Sequence, residues 1–240
     1  MSKKNVLLLI QSGYSARNFI LSGFTEHPNF EFTFWSDQDY IKEYGLANEY
    51  IPLPEFDYNA KANFYKKVKN RAEIYLNVKK TQNKNYHSYL LALHSKRSLK
   101  SSLVNLLIHW MAKWYANDKG IHKLDTPFYN ATRQTQYYQK CKEQLLATKP
   151  EIVFCTHQRA STAVAPMLAA RDLGIKTICF IHSWDNVPKG AQLVKADSYF
   201  VWSEYMKNEM LFHYPFFKEE DIYITGTPQF LLYFQERFKL

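Results

Sequence analysis

Residues Asn5 to Ile10 read NVLLLI, an apolar run that stops at the turn Gln11-Ser12-Gly13-Tyr14. A strand with one wet face alternates apolar and polar side chains. A run that is apolar at successive positions fits a strand buried on both faces, as in a parallel sheet with helices on either side. The next residues supply a first helix: Ser15 is a candidate cap, and Ala16, Phe19, Ile20, Gly23 and Phe24 share one helical face before His27-Pro28. Phe30 to Trp35 is a second strand pattern and Asp37 to Tyr44 a helix. Glu49 to Ile51 is a short third strand stopped by Pro52 and Pro54. This β-α-β-α-β order predicts an α/β, doubly wound parallel sheet.

From Tyr58 to Lys123 the alternation lapses into helix-favouring, Lys-rich sequence, predicted as a helical, basic insertion at about 58–123. Fourteen Lys and Arg stand here against Glu73 and Asp118, so the segment carries +12 while the whole chain carries +9, and the rest is slightly acidic. Inside it, Leu103, Leu106, Leu107, Trp110, Met111 and Trp114 share one helical face. Three readings stay open for the segment. It is a solvated helical layer with its apolar side on the sheet. It is a patch for an anionic membrane surface, where Lys and Arg attract headgroups and Trp110, Trp114 and Tyr115 suit the interface. Or it binds nucleic acid, whose footprint is basic residues with interleaved aromatics, although no nucleic-acid module is recognisable.

The α/β pattern then resumes. Thr126-Pro127 opens a predicted long helix ending at Lys149-Pro150, with Tyr138, Cys141 and Leu145 on its inner side. Strands follow at Glu151 to Thr156, Lys176 to Ile181, Ser198 to Trp202 and Asp221 to Thr225. The helices between them are Ser161 to Leu173, stopped by Gly174, and Ser203 to His213, capped by Ser203. Leu231 to Leu240 read as helix. The sum is a Rossmann-like doubly wound sheet interrupted by the basic insertion.

Composition removes several function classes. Hydrophobic residues make up 46% and charged residues 22%, the balance of a folded chain. Cys141, Cys155 and Cys179 are odd in number and widely spaced, which argues against a disulfide framework or structural zinc and for a reducing, cytoplasmic setting. The apolar run Val6 to Ile10 is too short for a signal peptide, and no run reaches the roughly 18 residues of a spanning helix. Neither GxGxxG nor GxxxxGK[ST] occurs, so a dinucleotide fingerprint or P-loop is not supported.

Ligands of open parallel sheets bind beyond the carboxyl ends of the strands, so the residues after each strand carry the chemistry. After the first come Gly13 and Arg17, where backbone approach and a helix N-terminus suit an anion. After the fourth stand His157, Gln158 and Arg159. After the fifth comes the densest group, His182-Ser183-Trp184-Asp185-Asn186-Val187-Pro188-Lys189-Gly190. An Asp or His at a strand end can act as general base toward a hydroxyl, and Trp184 can stack on a sugar ring. After the last strand come Gly226, Thr227 and Gln229. Each loop also has a plain structural reading, as a βα turn or a helix cap.

HSWDNVPKG, followed by VWSEYMKNEM, HYPF and DIYITGTPQF, resembles in order and spacing the bacterial GT-B glycosyltransferases that build surface polysaccharides, and SGYSARNF resembles their first βα turn. The resemblance spans residues 5–26 and about 150–234. It implies two Rossmann-like domains facing a cleft, with this chain, residues 1–240, as the N-terminal, acceptor-side domain and the nucleotide-sugar domain absent. Where that family continues with Asp after the Phe of the last loop, Leu231-Leu232 stand here.

The implied function is the acceptor-binding half of a glycosyltransferase. It would move a sugar from a nucleotide-sugar to a lipid-linked glycan acceptor in polysaccharide biosynthesis, as a cytoplasmic protein peripheral on the inner face of the membrane. The chain alone is expected to bind acceptor and not turn over. Asp185 is the first candidate for catalytic base and His157 the second. Gly13, Arg17, Arg159, Trp184, Asn186, Lys189, Gly226, Thr227 and Gln229 are candidate acceptor-binding residues. Neither a metal nor a cofactor is implied, the nucleotide-sugar being the donor substrate. The alternatives are a non-catalytic α/β binding module docking on anionic membrane and a GT-B-fold sugar epimerase or glycerophosphotransferase.

Overall fold

The computed structural model describes residues 3–36, 41, 50–57, 59–91 and 99–234. Seven strands form one sheet: β1 (Lys4–Ile10), β2 (Phe30–Ser36), β3 (Tyr50–Pro52), β4 (Ile152–Cys155), β5 (Lys176–Phe180), β6 (Ser198–Val201) and β7 (Ile222–Ile224). Their order is β3-β2-β1-β4-β5-β6-β7, and every neighbouring pair is parallel. The chain winds outward from β1 to β3, then returns to β4 on the other side of β1, which makes the β1–β4 crevice the topological switch point. Leu9 is level with Cys155 and Cys155 with Cys179, so the loops leaving β1, β4 and β5 start at one height.

The unbroken apolar runs mean what the sequence suggested. Leu7 and Leu9 enter a core with Val153, Cys155 and Cys179 on one face, while Val6, Leu8 and Ile10 meet Phe154 and Phe180 on the other. The first face is covered by α5 (Gln136–Thr148), α6 (Ser161–Asp172) and α7 (Glu204–His213). The second receives Ala16, Phe19 and Ile20 from α1 (Gly13–Ala16) and the wider helical turn Arg17–Leu21 that continues it. Tyr138, Cys141 and Leu145 form the buried side of α5, as their spacing predicts.

The basic insertion is helical. It holds α2 (Ala60–Thr81), α3 (Leu99–Trp114) and the start of α4 (Asp118–Arg133), which share a small core of Val68, Ala72, Leu76, Ile108, Ala112 and Ile121.

Four local expectations change. Ser12, not Ser15, caps α1, because its Oγ accepts the Ser15 N–H (3.2 Å). Pro127 does not open a helix. It lies inside α4, which begins nearer the N-terminus because Asn117 Oδ1 accepts the Gly120 N–H (2.8 Å), and exposed Lys123 can offer its released carbonyl to water. The predicted long helix is two. Thr135 Oγ1 accepts the Tyr138 N–H and the Asp57 carboxylate accepts those of Gln136 and Tyr137, so a fresh N-terminus is stabilised at Gln136. Finally, of the helix expected at Leu231 to Leu240 the described part, residues 231–234, belongs to the tight 3₁₀ turns of Pro228–Phe234. The helix expected at Asp37 to Tyr44 falls outside the described residues except Ile41, which is helical and buried, and residues 235–240 also fall outside them.

Candidate functional site

At the switch point the imidazoles of His157 and His182 stack, with ring centroids 4.3 Å apart and an interplanar angle of 26°. They come together because β4 and β5 are neighbours, Cys155 level with Cys179, so the two residues leave the sheet within one position of the same height. Tyr14, from the loop after β1, meets His182 edge-on at 6.4 Å, and the Arg17 guanidinium lies 5.4 Å from the centre of the Tyr14 ring. The loops after β1, β4 and β5 therefore build one surface.

Hydrogen bonds fix it from below. Buried Gln158 accepts the His182 N–H through Oε1 (3.0 Å). Arg159 Nη1 donates to Asn186 Oδ1 (3.2 Å), joining the loop after β4 to the loop after β5. His157 Nδ1 accepts the Arg159 N–H (3.3 Å), so the neutral ring carries its proton on Nε2. Two buried polar atoms here, Arg159 Nε and His182 Nδ1, have no hydrogen-bond partner among the described residues.

Burial, with the neighbouring His182 imidazole and the Arg159 guanidinium, holds His157 down to about 4. His182 is also lowered, chiefly by burial and further by Arg17, against a contact with the Thr156 carbonyl that raises it. Both rings are neutral at neutral pH. Asp185 behaves differently. Burial would raise it, but hydrogen bonds from Lys189 Nζ and from Ser183 Oγ (2.7 Å) outweigh that and hold it below the ordinary carboxylate range. Its oxygens are thus already engaged. Trp184 beside it is 68% exposed, a ring open to solvent at the edge of this surface.

The loop from His182 to Asp197 is clamped by α2. Asn77 Nδ2 donates to the Pro188 carbonyl (2.8 Å), Glu73 Oε2 accepts the Gln192 N–H (3.2 Å), and Lys69 Nζ donates to the Gln192 carbonyl (2.9 Å). Lys69 also pairs with buried Asp125 (2.5 Å), which Lys195 approaches from the loop itself (2.5 Å). Gly190 turns with φ +71°, which favours glycine, and a Cβ there would lie 3.0 Å from Asn70 Oδ1, so any other residue would also have to push that side chain of α2 aside.

The predicted residues divide accordingly. Arg17, His157, Arg159 and Asn186 share the switch-point surface; Trp184, Asp185 and Lys189 stand beside it on the loop after β5. Gly13 is exposed, with open space where a Cβ would be. Gly226, Thr227 and Gln229 form their own turn after β7, with Gly226 at φ +72° and Thr227 Oγ1 accepting the Gln229 N–H (3.2 Å). The segment that follows packs on Arg17–Leu21. Two further residues join the site beyond the catalytic and acceptor-binding candidates: Tyr14, and His182 at the head of the loop after β5. Cys155 is level with Cys179, so the register sets His182 opposite Gln158, one residue past His157, and the stack forms only as the chain turns out of the sheet.

Among the described residues, no group of three His, Cys, Asp or Glu side chains is placed to hold a metal ion. The sequence's Asp-x-Asp triplet, Asp37-Gln38-Asp39, follows β2 outside the described residues. No described helix is long and apolar enough to cross a membrane.

No protein-family model matches this sequence, and no curated protein matches it. Solved structures do share the fold. A putative UDP-N-acetylglucosamine 2-epimerase from Listeria monocytogenes superposes with a TM-score of 0.50 at 12% identity, over 100% of this chain and 50% of that one. A second UDP-N-acetylglucosamine 2-epimerase gives 0.49 at 12% identity, over 97% of this chain and 51% of that one. The chain spans about half the length of these structures, and the likeness is one of fold, a Rossmann-like α/β unit.

Proposed function

We propose that this chain is the acceptor-binding half of a glycosyltransferase that moves a sugar from a nucleotide-sugar to a glycan acceptor. The observation that carries this reading is the convergence of Tyr14, Arg17, His157, Arg159, His182 and Asn186 at the switch point of a Rossmann-like sheet. Such a surface offers what an acceptor sugar needs. Trp184 supplies an exposed ring for stacking, Arg17 and Arg159 donate to hydroxyl or phosphate oxygens, and buried unpaired nitrogens await a partner.

The acceptor hydroxyl must lose a proton. Asp185 is ionised and the two imidazoles are neutral at neutral pH, so all three are in the protonation state a base requires. Asp185 must first give up Lys189 or Ser183. His157 must exchange the Arg159 N–H or act from its other tautomer. The supporting roles follow: Asn186 orients Arg159, and Lys189 holds Asp185 until the acceptor arrives. The donor nucleotide would be bound by a second domain, and helix dipoles with basic side chains would neutralise the leaving diphosphate.

A sugar-nucleotide epimerase is the second reading, favoured by the names of the superposed structures. The two separate in one assay. The chain, incubated with nucleotide-sugars with and without oligosaccharide acceptors, is expected to bind acceptor and to leave the nucleotide-sugar unchanged. Epimerised nucleotide-sugar without acceptor would favour the second reading, and transfer by these 240 residues alone would overturn the half-enzyme account.

A further inference from the structure

Amphipathic helices of folded proteins turn their apolar stripe inward, and α3 does the reverse. At about 100° per residue, Leu99, Leu103, Leu106, Leu107, Trp110 and Trp114 fall within an arc of about 100°. That arc faces solvent: Leu103 is 70% exposed, Trp110 63% and Trp114 72%. The inward side holds Ile108 and Ala112, both fully buried against α2. The outward direction is pinned, because Arg71 Nη1 donates to the Asn105 carbonyl and Tyr75 Oη meets His109 Nδ1 (2.6 Å). Trp110 and Trp114 stack on each other at 6.2 Å, presenting one broad aromatic surface.

Charge says what covers this face. The pairs Arg71–Asn105 and Tyr75–His109 show that α2 and α3 run parallel, which sets Lys79 level with Lys113 beside Trp110 and Trp114. Lys84 follows α2, and Lys119 opens α4 just after Trp114. All four lysines are exposed, and among the described residues none of them meets a carboxylate within salt-bridge distance. The two acidic residues of the insertion are spent elsewhere, Glu73 in the buried clamp and Asp118 on Lys80 (2.7 Å). A protein partner complementary to the stripe alone would not call for an unbalanced ring of lysines, and a nucleic acid would not call for exposed leucines. A bilayer with anionic headgroups calls for both, with tryptophan at the boundary.

We propose that the outward face of α3 is a membrane-docking surface that lies flat on an anionic bilayer, its leucines and tryptophans entering the headgroup boundary and Lys79, Lys84, Lys113 and Lys119 facing the lipid phosphates. The proposal stands apart from the sugar-transfer reading and does not depend on it. It does give that reading a geometry, because α2, which carries α3, also clamps the loop after β5.

Co-sedimentation of the 240-residue chain with vesicles of phosphatidylcholine, with and without phosphatidylglycerol, tests it. Binding is expected with the anionic vesicles and is expected to weaken steeply with salt. Trp110→Ser/Trp114→Ser should weaken it by at least about tenfold, since two interfacial rings are lost. Lys79→Glu/Lys113→Glu should weaken it by at least about 25-fold, at about fivefold per lysine near the surface. All these positions are exposed, and circular dichroism confirms that the variants fold. Equal binding to neutral and anionic vesicles, or no loss in either variant, overturns the proposal. So does a dimer that Trp110→Ser/Trp114→Ser dissolves without any vesicle binding, or binding to random RNA alone.

Discussion

Glu73 is wholly buried in α2, with Oε2 accepting the Gln192 N–H and Oε1 lacking a hydrogen-bond partner among the described residues. Burial pushes its carboxyl up from 4.5 to about 7, against the pull of Lys69 and of the Gln192 and Ala191 N–H groups. The native state therefore holds this proton more tightly than the unfolded chain does. The contribution to stability is complete below the unfolded value and is lost as pH rises through the folded one. Between about pH 5 and about pH 8 the loss is about 2 to 3 kcal/mol, at about 1.4 kcal/mol per pKa unit. His157 and His213 act in the opposite sense: both are held near 4 by burial, so the unfolded chain binds their protons first and stability rises with pH toward about 6.5. The raw profile mixes these effects, but the difference between wild type and Glu73→Gln isolates the carboxyl. Glutamine keeps an oxygen for the Gln192 N–H. Urea unfolding followed by circular dichroism across this range should show the wild-type advantage shrinking by about 2 to 3 kcal/mol as pH rises. Parallel profiles would refute the reasoning, because Glu73 would then be ionised throughout, held by Lys69.

Two further outcomes follow from the same geometry. Asn77→Ala removes the donor to the Pro188 carbonyl and leaves buried His213 Nδ1 without its partner, so unfolding should be easier by about 1 to 3 kcal/mol. Limited proteolysis should also cut between residues 182 and 197 sooner than in wild type, and an unchanged cleavage rate would show that α2 does not hold this loop. Nitrogen-15 NMR of the imidazoles should find His157 neutral down to about pH 4, with the proton on Nε2. Titration near 6.5 would place the ring in water instead of under His182.

The sheet was legible because its strands announce themselves locally: Val6 to Ile10 can be apolar at every position only if both faces are covered. Helix boundaries were less so. The break between α4 and α5 depends on Asp57, which lies 79 residues before Gln136. Periodicity found an apolar stripe on α3 but could not say which way it turns. Arg71 and Tyr75, 34 residues away, fix that by holding the opposite side. The site shows the same division. Polar residues just past strand ends named His157, Arg159 and Asp185. The stack on His182 needed the strand register, and the clamp of Lys69, Glu73 and Asn77 joins residues more than a hundred positions apart, hidden among lysines that read as solvated.

The central claim is that the loops after β1, β4 and β5 form a carbohydrate site. Saturation-transfer NMR of the chain with a panel of oligosaccharide acceptors tests it most directly, comparing wild type with Arg159→Ala/Trp184→Ala. The account predicts saturation transfer to at least one acceptor, lost in the double variant while the fold persists. Transfer that survives the double variant undiminished, or none to any acceptor, would contradict it.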